Sequence, residues 1–135
     1  DALPICPGES EAARAIVAAA GPRARDLTGT DLRQGVLAIA AADLAVSNDS
    51  GLMHVAAATG TPTLGIFGPT SPWHWAPLNP LAAAVQPLSL RGTEMPYHSI
   101  ARRDDDSYIS GIPVADVLDA VREVLAGARQ PQATS

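Results

Sequence analysis

The run Ser47-Asn48-Asp49-Ser50-Gly51-Leu52-Met53-His54 gathers hydroxyls, a carboxylate, a glycine and an imidazole within eight residues. Apolar residues Leu44-Ala45-Val46 precede it, and a helix is expected from Leu52 to Thr59, with Gly60 beyond its end. A strand feeding a small polar turn that opens a helix exposes the free N–H groups and positive dipole end of the first helical turn, which suit an anion. Gly51 allows close approach to the backbone, and Ser50 adds a hydroxyl donor. His54 follows Ser50 by four residues, so both share one helix face, and the lean of helical side chains brings the imidazole back toward the anion. Asp49 would repel a phosphate, so it reads as an acceptor for hydroxyl donors or a brace for the turn. The same residues also make an ordinary N-cap followed by a half-buried structural histidine, and spacing alone leaves both readings open.

Apolar strands that alternate with helices must position this turn. Strands are expected near residues 3–6, 24–27, 44–47, 63–67 and 83–85. Helices are expected near 10–20, 32–42, 52–59 and 114–125, the last with Val114, Val117, Leu118, Val121, Val124 and Leu125 facing the core. Gly127 is read as its stop, leaving 128–135 as a disordered tail. Residues 70–80 read as a Pro- and Trp-bearing loop, and 87–111 show no periodicity. Such alternation indicates an α/β layered domain on a parallel sheet, whose ligands bind beyond the carboxyl ends of the strands. The turns at 7–10, 27–31 and 47–51 fall at that edge.

Composition bounds the function. The 135 residues are 47% hydrophobic and 17% charged, with formal net charge -5, which fits one modest domain and excludes a mainly disordered chain. The acidic balance argues against nucleic-acid binding by charge. No apolar run reaches the roughly 20 residues that span a bilayer. A single cysteine, Cys6, excludes an internal disulfide and a Cys-rich zinc site; on a buried strand it reads as an inert core residue. The chain holds no Lys and opens at Asp1 without an initiator Met or signal peptide, so it reads as cut from something longer.

The longer string Asp49-Ser50-Gly51-Leu52-Met53-His54-Val55-Ala56-Ala57-Ala58, then Gly60-Thr61-Pro62, then Phe67-Gly68-Pro69-Thr70-Ser71-Pro72, resembles glycosyltransferase family 9, the ADP-heptose-dependent lipopolysaccharide heptosyltransferases. The resemblance extends back through Leu27-Thr28-Gly29 and Ala42-Asp43-Leu44, covers most of residues 1–127 and is specific through 27–80. It implies a Rossmann-like parallel sheet with flanking helices, with residues 1–127 as a partial C-terminal, donor-binding domain of a GT-B fold. It further implies that the parent transfers heptose from ADP-heptose to the lipopolysaccharide inner core with inversion. The parent would be cytoplasmic and peripheral on the inner face of the inner membrane, and would use no cofactor.

Carried over residue by residue, the resemblance puts the donor diphosphate at Ser50, Gly51 and His54, and Asp49 near the donor sugar. Thr28, Gly29 and Thr30 fall at the loop along the nucleoside. Glu9 best fits the acid that holds the ribose, with Glu11 second; a carboxylate suits vicinal hydroxyls, although an acid beside a helix start also complements its dipole. The general base would lie in a missing N-terminal GT-B domain, so no catalytic residue is assigned in this chain. The strand that carries a phosphate-binding Lys or Arg in the family also falls outside it.

Remaining candidates read more plainly. Trp73 and Trp75 serve first to pin their loop, with stacking on the apolar face of a sugar as the other use, and His74 reads as exposed. Asp104-Asp105-Asp106 reads as a solvated run, so no metal is expected, and the adjoining Arg102-Arg103 makes no net basic patch. Two rival functions share the fold. One is a non-catalytic binding module of the same family type, attached to helical repeats. The other is a GT-B-like enzyme acting on a UDP-sugar, in which the residues around 28–32 would read uracil.

Overall fold

The structure, a computed structural model, describes residues 10–91 and 107–129. The expected strand at 3–6, Cys6, Glu9, Arg102-Arg103 and Asp104-Asp105-Asp106 all lie outside the described residues. The chain forms two compact units, Asp1–Ala38 and Ile39–Ser135.

The first unit holds helix α1 (Ser10–Ala20), a 3-10 turn (Gly21–Arg23) and most of α2 (Leu32–Ala40). Gly21 takes φ +70°, the left-handed conformation that stops a helix, and Pro22 follows it. Asp31 caps α2, its Oδ1 accepting the N–H of Gln34 at 2.8 Å. The expected strand at 24–27 is absent. The Ala24 N–H turns back to Gly21 O at 3.0 Å, and the Asp26 carboxylate takes the Thr28 N–H, so local bonds occupy this stretch instead of a ladder.

The second unit is a three-stranded parallel sheet in the order β1 (Ala45–Asn48), β2 (Thr63–Ile66), β3 (Ala82–Val85). Helix α3 (Gly51–Ala58) links β1 to β2, and short α4 (Pro72–Trp75) lies between β2 and β3. Pro72 at the first turn of α4, behind Ser71 at its N-cap, explains a helix where a loop was expected. Short α5 (Ser107–Ser110) and long α6 (Val114–Arg129) follow.

Strand periodicity divides the core. Leu64 meets Val85 and Ile112 on one face, with Ile66, Val117, Ala120 and Val121 packed around them from β2 and α6. Gly65 and Phe67 take the opposite face of the β2 segment, under Met53 of α3. Phe67, Met53 and Leu64 are fully buried. Helices therefore cover both faces of the sheet, the arrangement a parallel sheet requires. Helix α6 uses Val117, Val121 and Val124 as expected, but leaves Val114 and Leu118 exposed. It also runs through Gly127 to Arg129, so the boundary expected at 127 moves. Gly127 does not take a positive φ, and nothing there turns the chain out of its helix.

The C-terminal end of α3 is locked. Gly60 has φ +78° and donates to Ala57 O at 3.1 Å, while Thr61 N–H reaches Ala56 O at 3.1 Å, the paired bonds of a Schellman end. Thr61 Oγ1 donates to Ile39 O at 2.9 Å. Asn79 Nδ2 donates to Thr61 O at 3.0 Å and Ala57 O at 3.4 Å, and its Oδ1 accepts Leu81 N–H at 2.8 Å. Replacing Asn79 with Ala strips partners from three backbone groups, so the free energy of urea unfolding should fall by about 1–3 kcal/mol. An unchanged midpoint would show that water replaces the amide at no cost.

Candidate functional site

The turn at 47–51 sits where the strand pattern puts it, at the carboxyl edge of the sheet. Asp49 N–H donates to the carbonyl of Ile66, the last residue of β2, at 3.1 Å. Helix α3 is held against the sheet by Met53, Ala56 and Ala57, all buried. Their spacing turns the opposite face outward, and His54 is exposed on it. A packed structural histidine is therefore excluded. Ser50 and Gly51 are exposed as well, and Asp49 is half-buried.

Ser50 has the extended backbone of an N-cap, φ -156° and ψ 167°, and its carbonyl accepts the Met53 N–H at 3.2 Å. Its side chain makes no capping bond. The hydroxyl instead lies 3.1 Å from Ser47 Oγ, which itself donates to Asn48 O at 2.9 Å. The first turn of α3 thus presents N–H groups that no side chain caps. A Cβ added at Gly51 would meet nothing within 4 Å, so the space beside this backbone is open. This geometry can take an anion with hydrogen bonds from backbone, hydroxyl and imidazole.

The turn after β2 joins the same edge. Gly68 is buried beneath α5: a Cβ there would lie 3.1 Å from Ile109 Cγ1 and 3.5 Å from Tyr108 Cβ. That close approach explains the glycine of the Phe67-Gly68-Pro69 string. The Gly60-Thr61-Pro62 string has the structural role described above, at the opposite end of α3. Trp73 is 72% exposed and Trp75 40%, so the expectation that both pin the loop fails for Trp73. His74 is exposed as expected.

Thr28, Gly29 and Thr30 form a tight turn within the first unit. Thr30 N–H and Oγ1 both donate to Leu27 O, at 3.3 and 2.9 Å. Gly29 takes φ +80°, which the third position of a type II turn requires. Asp26 Oδ1 accepts Thr28 N–H at 2.8 Å, and the hydrogen bonds from Thr28 hold the exposed Asp26 carboxyl below its usual pKa. Sequence reasoning missed Asp26, although an Asp two residues ahead of a turn threonine is the spacing of an Asx-turn. The structure brings Asp49, Ser50, Gly51 and His54 together in the second unit, while Thr28, Gly29 and Thr30 belong to the first.

Concavity does not single out the turn. A cleft of about 500 Å³ lies at the amino edge instead, lined by Ala42, Asp43, Pro62, Leu125, Ala128 and Arg129. Among the described residues, no helix is long and apolar enough to cross a membrane.

Comparison with known proteins bears on the whole arrangement. The profile of glycosyltransferase family 9 (heptosyltransferase) matches residues 2–96. The chain is 41% identical over 81 residues to lipopolysaccharide heptosyltransferase 2 of Salmonella typhimurium, covering 59% of this chain and 22% of that protein. It is 44% identical over 57 residues to lipooligosaccharide heptosyltransferase 2 of Haemophilus influenzae, covering 42% of this chain and 16% of the relative. The chain thus spans about a fifth of the length of the curated relatives it matches. The solved structure of E. coli ADP-heptose lps heptosyltransferase II superposes with a TM-score of 0.65 at 31% identity, over 92% of this chain and 35% of that one. The Rossmann-like α/β fold is shared with that structure, the matched span contains both turns of the carboxyl edge, and the chain belongs to glycosyltransferase family 9, the heptosyltransferases.

Proposed function

We propose that residues 1–127 form most of the donor-binding half of a longer GT-B glycosyltransferase. The parent transfers heptose from ADP-heptose to the inner core of lipopolysaccharide. The uncapped N-terminus of α3 carries this reading, with exposed Ser50, Gly51 and His54 at the carboxyl edge of a parallel sheet. The donor diphosphate sits on that helix end. Asp49 faces the donor sugar, Thr28, Gly29 and Thr30 lie along the nucleoside, and Glu9 holds the ribose hydroxyls.

In the reaction, an acceptor hydroxyl attacks the anomeric carbon as the bond from that carbon to the diphosphate oxygen breaks, with inversion. Negative charge grows on the leaving ADP. The helix dipole, Ser50 and His54 stabilise it. The acceptor proton passes to a base in the partnering N-terminal domain, so this half alone turns nothing over. The parent works on the cytoplasmic side of the inner membrane, held there peripherally near its lipid-linked acceptor.

Calorimetry on the full-length enzyme should find ADP binding at least about tenfold tighter than UDP, a difference of roughly 1.4 kcal/mol. Equal or tighter UDP binding would rule out the heptosyltransferase reading in favour of a UDP-sugar enzyme. Binding without any transfer of heptose would point to a non-catalytic module.

A further inference from the structure

We infer that Ser47 is a positioning residue for the diphosphate, acting through Ser50 as a two-hydroxyl relay; this rests on the donor-site reading above. A serine hydroxyl has one proton and two lone pairs. Ser47 spends its proton on Asn48 O at 2.9 Å. The 3.1 Å contact between the two hydroxyls must then use the proton of Ser50. Ser47 is fixed in β1, in register with Gly65 of the central strand, so it is a rigid anchor for the Ser50 oxygen.

Two consequences follow from that pairing. Ser50 is drawn away from the cap bond that its backbone would permit, and the N–H groups of the first turn stay open to a ligand. An arriving phosphate oxygen offers Ser50 a charged acceptor. The Ser50 O–H turns to it, and the Ser47 O–H turns from Asn48 O to the Ser50 oxygen. Both moves are rotations about a Cβ–Oγ bond. They need no displacement of the backbone and break no covalent bond. A hydroxyl that accepts one hydrogen bond becomes a better donor of the next, so Ser47 strengthens the contact that Ser50 makes.

The test is a double-mutant cycle on the full-length enzyme with ADP as the probe, read by calorimetry and thermal melting. Ser50→Ala should weaken ADP binding about 10- to 150-fold, as expected for loss of a hydrogen bond to a charged group, and Ser47→Ala about three- to tenfold, as expected for loss of a neutral one. The double variant should bind within about twofold of Ser50→Ala alone, because the relay has only one route to the ligand. Ser47→Thr keeps the hydroxyl and should bind within about twofold of the wild type. The melting temperature of Ser47→Ala should hold or rise, because Ser50 is then free to cap α3. Unchanged ADP affinity in Ser47→Ala, or losses that multiply in the double variant, would overturn the relay. A lowered melting temperature with wild-type affinity would make Ser47 a structural brace and refute it equally. Failure of the wild-type enzyme to bind ADP, or indifference to Ser50→Ala, would remove the donor-site reading itself and the relay with it.

Discussion

Replacing His54 with Ala in the full-length enzyme is expected to cut turnover about 10- to 150-fold, equivalent to roughly 1.5–3 kcal/mol for a hydrogen bond to a charged group. The melting temperature should barely move. His54 is exposed, and the helix that carries it is held by Met53, Ala56 and Ala57 on its other face. Alanine is also the best helix former, so the backbone is not weakened. In the proposed reaction, charge on the diphosphate grows as its bond to the anomeric carbon breaks, so kcat should fall by more than KM rises. Steady-state kinetics and a melting curve on one preparation separate the possibilities. A variant that melts early but turns over normally per folded molecule would sink the assignment of His54 to the donor site.

Gly65→Ala should be the most damaging small substitution in the sheet, costing about 1–3 kcal/mol of stability through overpacking. The added Cβ would lie 2.7 Å from Phe67 Cε2 and 2.8 Å from Met53 Sδ, closer than packed carbon atoms come. Phe67 and Met53 are both completely buried, and the flexible Met53 thioether is the partner better able to move. Truncating Met53 in the same background should therefore recover part of the loss. Urea unfolding of the two single variants and the double variant measures the coupling. Additive losses would mean that the clash is relieved elsewhere, and that Gly65 is small for some reason other than its neighbours.

The parallel sheet, the turn at 47–51 and the outward face of α3 were legible because each leaves a local trace. The apolar triplet 44–46 leads into polar punctuation at 47–51, and the buried residues Met53, Ala56 and Ala57 recur at helical spacing. What escaped depends on distance in sequence. Thr61 reaches Ile39 and Asn79 reaches Ala57, each across 22 positions, and no window of neighbouring residues carries that information. Gly65 looked like one more strand residue, since only the packed Phe67 and Met53 reveal why it has no side chain. The segment 24–27 was expected as a strand although Arg25 and Asp26 make half of it charged, and Asp26 bonds locally to Thr28 instead. The residues proposed for the donor site divide in the same way. Ser50, Gly51 and His54 lie within five positions on one helix start, whereas Thr28, Gly29 and Thr30 belong to a different compact unit.

Helix α3 is clamped by side chains at one end and bare at the other. With eight residues it is about 12 Å long, so it behaves as a short lever whose fulcrum is the Thr61–Asn79 junction. The tip is held by buried Met53 and by the Asp49 N–H bond to Ile66 O. Yet a tilt of about 5° at the fulcrum would carry it by roughly 1 Å, and on the proposed donor-site reading misplacement on that scale can cost about a hundredfold in rate. Wear at Asn79 should thus be felt at the far tip as lost turnover, before the fold itself gives way.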